Sequence, residues 1–197
     1  MPTYPGDTPF QMKPLLRIAE GKGCNLSALQ MGTHTGTHVD PPWHFVEEGI
    51  RVDELPLEVL IGKAYVASVR GVPAVTAASL EAAGIPEGVE RLLIQTDNSF
   101  GAWESPQFEP RFVYLAPDGA EWIVRNGIRL VGIDYLSVEQ FGATEPLTHR
   151  TLLAAGVIAV EGLNLRALEP GWVELVCLPL RIEGGDGAPA RVVARRI

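Results

Sequence analysis

The chain has 197 residues, 46% of them hydrophobic, and its 24 acidic and 16 basic side chains leave a net charge of -8. That length suits one domain with a full core, so residues 1–197 are expected to form a single unit. The scattered arginines form no basic stripe interleaved with aromatics, which excludes a nucleic-acid groove, and no apolar run approaches the roughly 20 residues that span a bilayer. From the N-terminus, GKG at 21–23 reads as a turn rather than a phosphate loop, since it does not join a strand to a helix, and residues 24–31 read as a strand.

Three of the four histidines, His34, His38 and His44, fall with Asp40 in HTGTHVDPPWH. His-x3-His would suit ligands one turn apart on a helix, but Thr35, Gly36, Thr37 and Val39 are poor helix formers and Pro41-Pro42 stops a helix just downstream. The expectation is a loop entering a short extended segment. There His38 and Asp40, two apart, point to one side, and Gly36 lets the backbone fold so that His34 converges on them. Two imidazoles and one carboxylate leave open positions on a divalent ion, the mark of a catalytic rather than a structural metal site. The proline pair delivers His44 close by, and proton transfer rather than ligation is its expected role. Zinc is the first expectation and manganese the second, because His, Asp and Glu ligands accommodate both.

Beyond this cluster, 53–61 reads as a short helix and 63–70 as a strand. Residues 77–97, 118–134 and 147–161 repeat one pattern: a helix closed by glycine, then an apolar strand ending in an acid. Thr76 and Asp118 are the expected N-caps and Gly84, Gly127 and Gly156 the helix stops. The strands LLIQTD, LVGID and VIAVEG carry Asp97, Asp134 and Glu161 at their ends. Ligands of open α/β sheets gather beyond such carboxyl ends, so Glu161, twelve residues after His149, is placed where a ligand could be, although a His and a Glu at that spacing occur readily without a metal. Asp97 and Asp134 are expected to cap loops or orient ligands. A long strand at 171–182, a GGDGAP turn at 184–189 and a last strand at 190–195 complete an α/β chain whose termini tie into sheet. Cys24 and Cys177, far apart in apolar strand-like contexts, read as reduced thiols, and with no leader segment apparent the cytoplasm is the expected location. No G-x-S-x-G elbow or GxxxxGK loop is present, so serine-hydrolase and P-loop chemistry lack their motifs.

HTGTHVDPPWHF resembles the signature of the metal-dependent cyclase family, which includes bacterial kynurenine formamidase (arylformamidase) and isatin hydrolase. YPGDTPF at 4–10 resembles the family's Trp-Pro-Gly-Asp segment, GIDYLSVE at 132–139 its central strand, HRTLLAAGVIAVEGLNL at 149–165 its second ligand segment, and VELVCLPLRIEGGDGAPARVVAR at 173–195 its closing strands. Members carry a segment ahead of the first motif that forms a first strand, whereas this sequence starts almost at the motif.

The resemblance implies an α/β swivelling domain of β/β/α arrangement, assembled as a homodimer or homotetramer. It implies one or two divalent metals, the first on His34, His38 and Asp40, the second sharing Asp40 and completed by His149 and Glu161, with His44 as general acid/base. Tyr4 stands where the formamidase has a substrate-contacting tryptophan, and GAWESPQFEPRFVY at 101–114 is expected to shape the pocket. The implied activity is hydrolysis of a small aryl amide, N-formylkynurenine to kynurenine and formate in tryptophan breakdown. The alternatives are opening of a cyclic amide of the isatin kind, or a non-hydrolytic role as a biosynthetic cyclase or a metal-holding binding protein. The acid/base His44 argues against a pure binder.

Overall fold

The computed structural model describes residues 2–197. Its strands are β1 (Gln11–Leu16), β2 (Leu26–Gln30), β3 (His38–Asp40), β4 (Ile61–Ser68), β5 (Ala74–Val75), β6 (Arg91–Gln95), β7 (Tyr114–Leu115), β8 (Leu130–Ile133), β9 (Ile158–Glu161), β10 (Gly171–Pro179) and β11 (Ala188–Arg196). The α-helices are α1 (Leu57–Leu60), α2 (Ala77–Ala82), α3 (Pro117–Arg125) and α4 (Leu147–Ala154).

Seven strands close into a barrel in the order β10-β11-β3-β9-β8-β6-β4. The α/β arrangement expected from the sequence is present, but the sheet is closed rather than open. The stretch β4-β6-β8-β9 is parallel, and β10, β11 and β3 complete the ring through antiparallel pairings. Parallel strands are covered on both faces and so read as continuous apolar runs. One face of this stretch (Val66, Leu93, Leu130, Val160) joins Leu175 and Cys177 of β10 in one core cluster. The other face (Leu92, Ile94, Val131, Ile133) packs on Leu80 of α2, Ile123 of α3 and Leu152 of α4.

The helix punctuation follows the expected chemistry with one exception. Thr76 caps α2 through a reciprocal box, its hydroxyl accepting from Ser79 N while Ser79 Oγ accepts from Thr76 N. Gly84, Gly127 and Gly156 follow the last turns of their helices with φ between +64 and +76°, where glycine avoids the Cβ penalty. Asp118 is not an N-cap. Proline at the first position of α3 moves the cap back to Ala116, and the Asp118 carboxylate instead accepts from Ala77 N at the start of α2.

Other boundaries shift. The expected helix at 53–61 is a 3-10 turn at Val52–Glu54 followed by α1, because Pro56 interrupts it, and β10 stops at Pro179. Cys24 lies in an exposed bend ahead of β2, and both cysteines are free. The C-terminal strand joins the barrel, but β2 pairs only with β1, which the sequence reading did not assign, in a separate two-stranded hairpin. No helix among the described residues is long and apolar enough to cross a membrane.

Candidate metal centre

The geometry starts from a backbone contact. Gly162, directly after β9, has φ +70°, and a Cβ there would collide with the carbonyl of Gly36. The bare glycine lets the loop 33–37 dock on the end of β9, where Thr37 Oγ1 donates to Gly162 O at 2.6 Å. Gly36, at φ +74°, turns the chain so that β3 runs antiparallel to β9 with His38 opposite Glu161. The loop and short extended segment expected from the sequence are therefore what joins the two candidate ligand sets.

Asp40 is fully buried at the centre. Its Oδ1 lies 2.8 Å from His34 Nδ1 and 3.3 Å from His38 Nε2. Its Oδ2 faces the other side, 3.8 Å from His149 Nε2, and has no hydrogen-bond partner among the described residues. Glu161 faces two ways in the same manner, with Oε2 3.4 Å from His38 Nε2 and Oε1 3.1 Å from His149 Nε2. An orphaned carboxylate oxygen in the core is costly unless something binds it, and a divalent cation amid imidazole and carboxylate donors meets that need. Donor atoms of His34, His38 and Asp40 lie within 4.8 Å of one another, as do those of Asp40, His44 and His149. The residues present fit a divalent metal.

His44 arrives on the 3-10 turn Pro42–His44 and stacks on His34 with centroids 4.0 Å apart. Burial, reinforced by the neighbouring His34 and His149 against the pull of Asp40, lowers its pKa to about 4 and keeps the ring neutral at physiological pH. His38 moves the other way. Burial opposes its charge, but Asp40 and Glu161 outweigh it and hold the ring well above the ordinary value. His34, His38, His44, His149 and Glu161 line a cavity of about 290 Å³ with Tyr4, Phe45 and Leu136. Tyr4 packs edge-on against Phe108 and Phe141, giving that wall an aromatic character.

The structure thus brings together His34, His38, Asp40, His44, His149 and Glu161, with Tyr4 at the cavity wall. Asp97 and Asp134 lie elsewhere. Asp134 is buried under the loop after β6, accepting from Thr96 N and Ser99 N, and Asp97 pairs with Arg70 and Gly71 N at the surface. Three acids at the centre were missed by sequence reasoning. Asp7 lines the cavity. Glu139 Oε2 is 3.3 Å from His149 Nδ1, and Asp186 Oδ2, within the turn read from GGDG, is 3.4 Å from His34 Nε2. A search for carboxylates able to receive the second nitrogen of each ligand histidine would have asked for such partners, though not where in the chain they lie.

Residues 1–140 match the Cyclase family model. This chain belongs to the Cyclase family. Over 198 aligned residues it is 37% identical to kynurenine formamidase of Geobacillus thermodenitrificans, covering 100% of this chain and 92% of that protein. Among family members of known structure it is similar to a predicted metal-dependent hydrolase from Bacillus stearothermophilus, with 34% identity, a TM-score of 0.84, and 98% and 91% of the two chains covered. It is also similar to isatin hydrolase A from Labrenzia aggregata, with 25% identity, a TM-score of 0.79, and 97% and 84% covered.

Proposed function

We propose that this chain is an arylformamidase that cleaves N-formylkynurenine to kynurenine and formate, with residues 1–197 as one catalytic domain. It is a metal-dependent hydrolase of carbon–nitrogen bonds other than peptide bonds, as its formamidase relatives and hydrolase neighbours support. The observation that carries the reading is the two-faced Asp40, with His34 and His38 on one oxygen and His149 towards the other, beside a neutral His44. On this reading His34, His38 and Asp40 hold one divalent ion and Asp40, His149 and Glu161 a second, zinc being the first choice and manganese the next. Such an ion supplies an acidified water and a Lewis acid for the carbonyl.

The protein's own residues do the rest. Water adds to the formyl carbon, the C–N bond breaks, and the leaving amine needs the proton that the water gave up. The neutral ring of His44 accepts that proton and returns it to nitrogen. Tyr4, backed by Phe108 and Phe141, offers the aryl group an apolar wall. The likeness to isatin hydrolase favours cyclic-amide opening as the second reading, since ring and formyl amides present the same carbonyl and nitrogen.

A homodimer or homotetramer in the cytoplasm completes the proposal. Its support is the β1/β2 hairpin, where the paired residues Met12 and Leu29 are 58% and 63% exposed although two-stranded hairpins are marginal alone. The deciding experiment is hydrolysis of N-formylkynurenine, with isatin in parallel, by protein stripped and reloaded separately with zinc and manganese. Formamide cleavage abolished by chelator is expected. Isatin opening without formamide cleavage by metal-loaded protein would select the second reading.

A further inference from the structure

Each ring in the candidate ligand set turns one nitrogen inward and has an acceptor near the other. His38 Nδ1 donates to Gly36 O at 2.9 Å, a backbone contact two residues away. His34 Nε2 faces Asp186, whose side chain is 48% exposed. His149 differs, because its acceptor Glu139 is a buried side chain held from several directions.

Glu139 owes its fixity to a gap in the sequence. Pro146 is the residue before α4 and offers no side-chain cap, so the first N–H groups of the helix need another acceptor. The Glu139 carboxylate meets that need, with Oε1 accepting from Thr148 N at 3.4 Å and Oε2 from His149 N at 3.1 Å. The same Oε2 lies 3.3 Å from His149 Nδ1. One residue earlier, Val138 N donates to Glu161 Oε1 at 2.6 Å. Two consecutive residues therefore hold both members of the His149–Glu161 pair, and Phe45 stacks on the His149 ring at 4.6 Å to limit its tilt.

We propose that Glu139 is a positioning residue for the metal held by His149 and Glu161: it keeps the proton of His149 on Nδ1, so that the Nε2 lone pair faces Asp40 and the ion. The inference rests on His149 and Glu161 being metal ligands. It assigns Glu139 two tasks, capping α4 and fixing the tautomer of a ligand carried by that helix. A metal-bound histidine depends on such an acceptor, and removing one weakens affinity about 10- to 100-fold.

The test is a zinc titration of stripped wild type, Glu139→Gln and His149→Ala against a chromophoric chelator, with thermal unfolding of each in chelator alone. Wild type is expected to bind an equivalent that His149→Ala lacks. Glu139→Gln should weaken that equivalent about 10- to 100-fold while leaving the His34 and His38 equivalent unchanged. Its metal-free melting should fall too, because one glutamine oxygen replaces two carboxylate acceptors and carries no charge beside His149, so the affinity is the deciding readout. Lowered metal-free melting with wild-type affinity would make Glu139 a helix cap alone and overturn the proposal. A wild type with no His149-dependent binding would instead overturn the ligand reading itself, and the proposal with it. Should Glu139→Gln fail to fold, long-range 1H–15N spectra of the zinc-loaded wild type decide: a proton on His149 Nδ1 is expected, and a proton on Nε2 overturns the assignment.

Discussion

The two halves of the centre are built differently. His34, His38 and Asp40 lie within seven consecutive residues, and their geometry comes from a glycine turn and a three-residue strand. His149 and Glu161 come from a helix and a strand of the barrel, and their orientation depends on Val138 and Glu139 in the loop ahead of that helix and on Phe45, over a hundred residues away. The first half is set by local backbone and the second by packing. Asp40 is the hinge between them, presenting one oxygen to each.

If Asp40 serves both halves, Asp40→Asn should cost all the metal, whereas His38→Ala should empty the first site most severely. Elemental analysis measures this directly, and near-normal metal content in either variant would sink the ligand assignment. His44 belongs to neither half on this account, so His44→Ala should retain its metal and lose about 10²- to 10⁴-fold in kcat. Parallel loss of metal and activity would make His44 a ligand. The seam between the halves is Gly162. Alanine there should cost about 1–2 kcal/mol for its left-handed backbone and about 1–3 kcal/mol more for overlap with Gly36, read as a lowered Tm.

The smallest expected effect concerns the second half and pH. In metal-free protein, burial opposes the charge on His149, but hydrogen bonds to Glu139 and Glu161 win and raise its pKa from 6.5 to about 10. A raised folded pKa contributes stability that is complete below the unfolded value and lost as pH rises through the folded one. Metal-free protein should therefore lose thermal stability between about pH 6.5 and 10, and metal-loaded protein should not, because the ion replaces the proton. Identical profiles for the two forms would detach His149 from the metal.

The difference between the halves also decides what the sequence could convey. His34, His38, Asp40 and His44 form a short motif whose turn chemistry is local, so its loop-then-strand shape is readable directly. The three helix–strand units were readable too, since parallel strands covered on both faces leave unmistakable apolar runs. Spacing alone only suggested the partnership of His149 with Glu161, and the family resemblance strengthened it. Glu139 and Asp186 were not readable, because Glu139 reaches His149 from ten residues upstream, across an irregular loop with no periodicity, and Asp186 meets His34 only across the folded chain. The β1 strand escaped notice for a different reason: all its side chains but half-buried Leu16 are exposed, so its pattern carries no buried periodicity.

The three residues of β3 also have a temporal consequence. They pair with β9 on one side and with β11 on the other, so the same strand completes the barrel and carries two of the candidate ligands. These contacts join positions near 40 to positions near 160 and 190, the kind of distant pairing that forms late. On the ribosome, β3 gains its second neighbour only after β11 has been synthesised, so the strand that carries His38 and Asp40 is braced on both sides only at the end of synthesis.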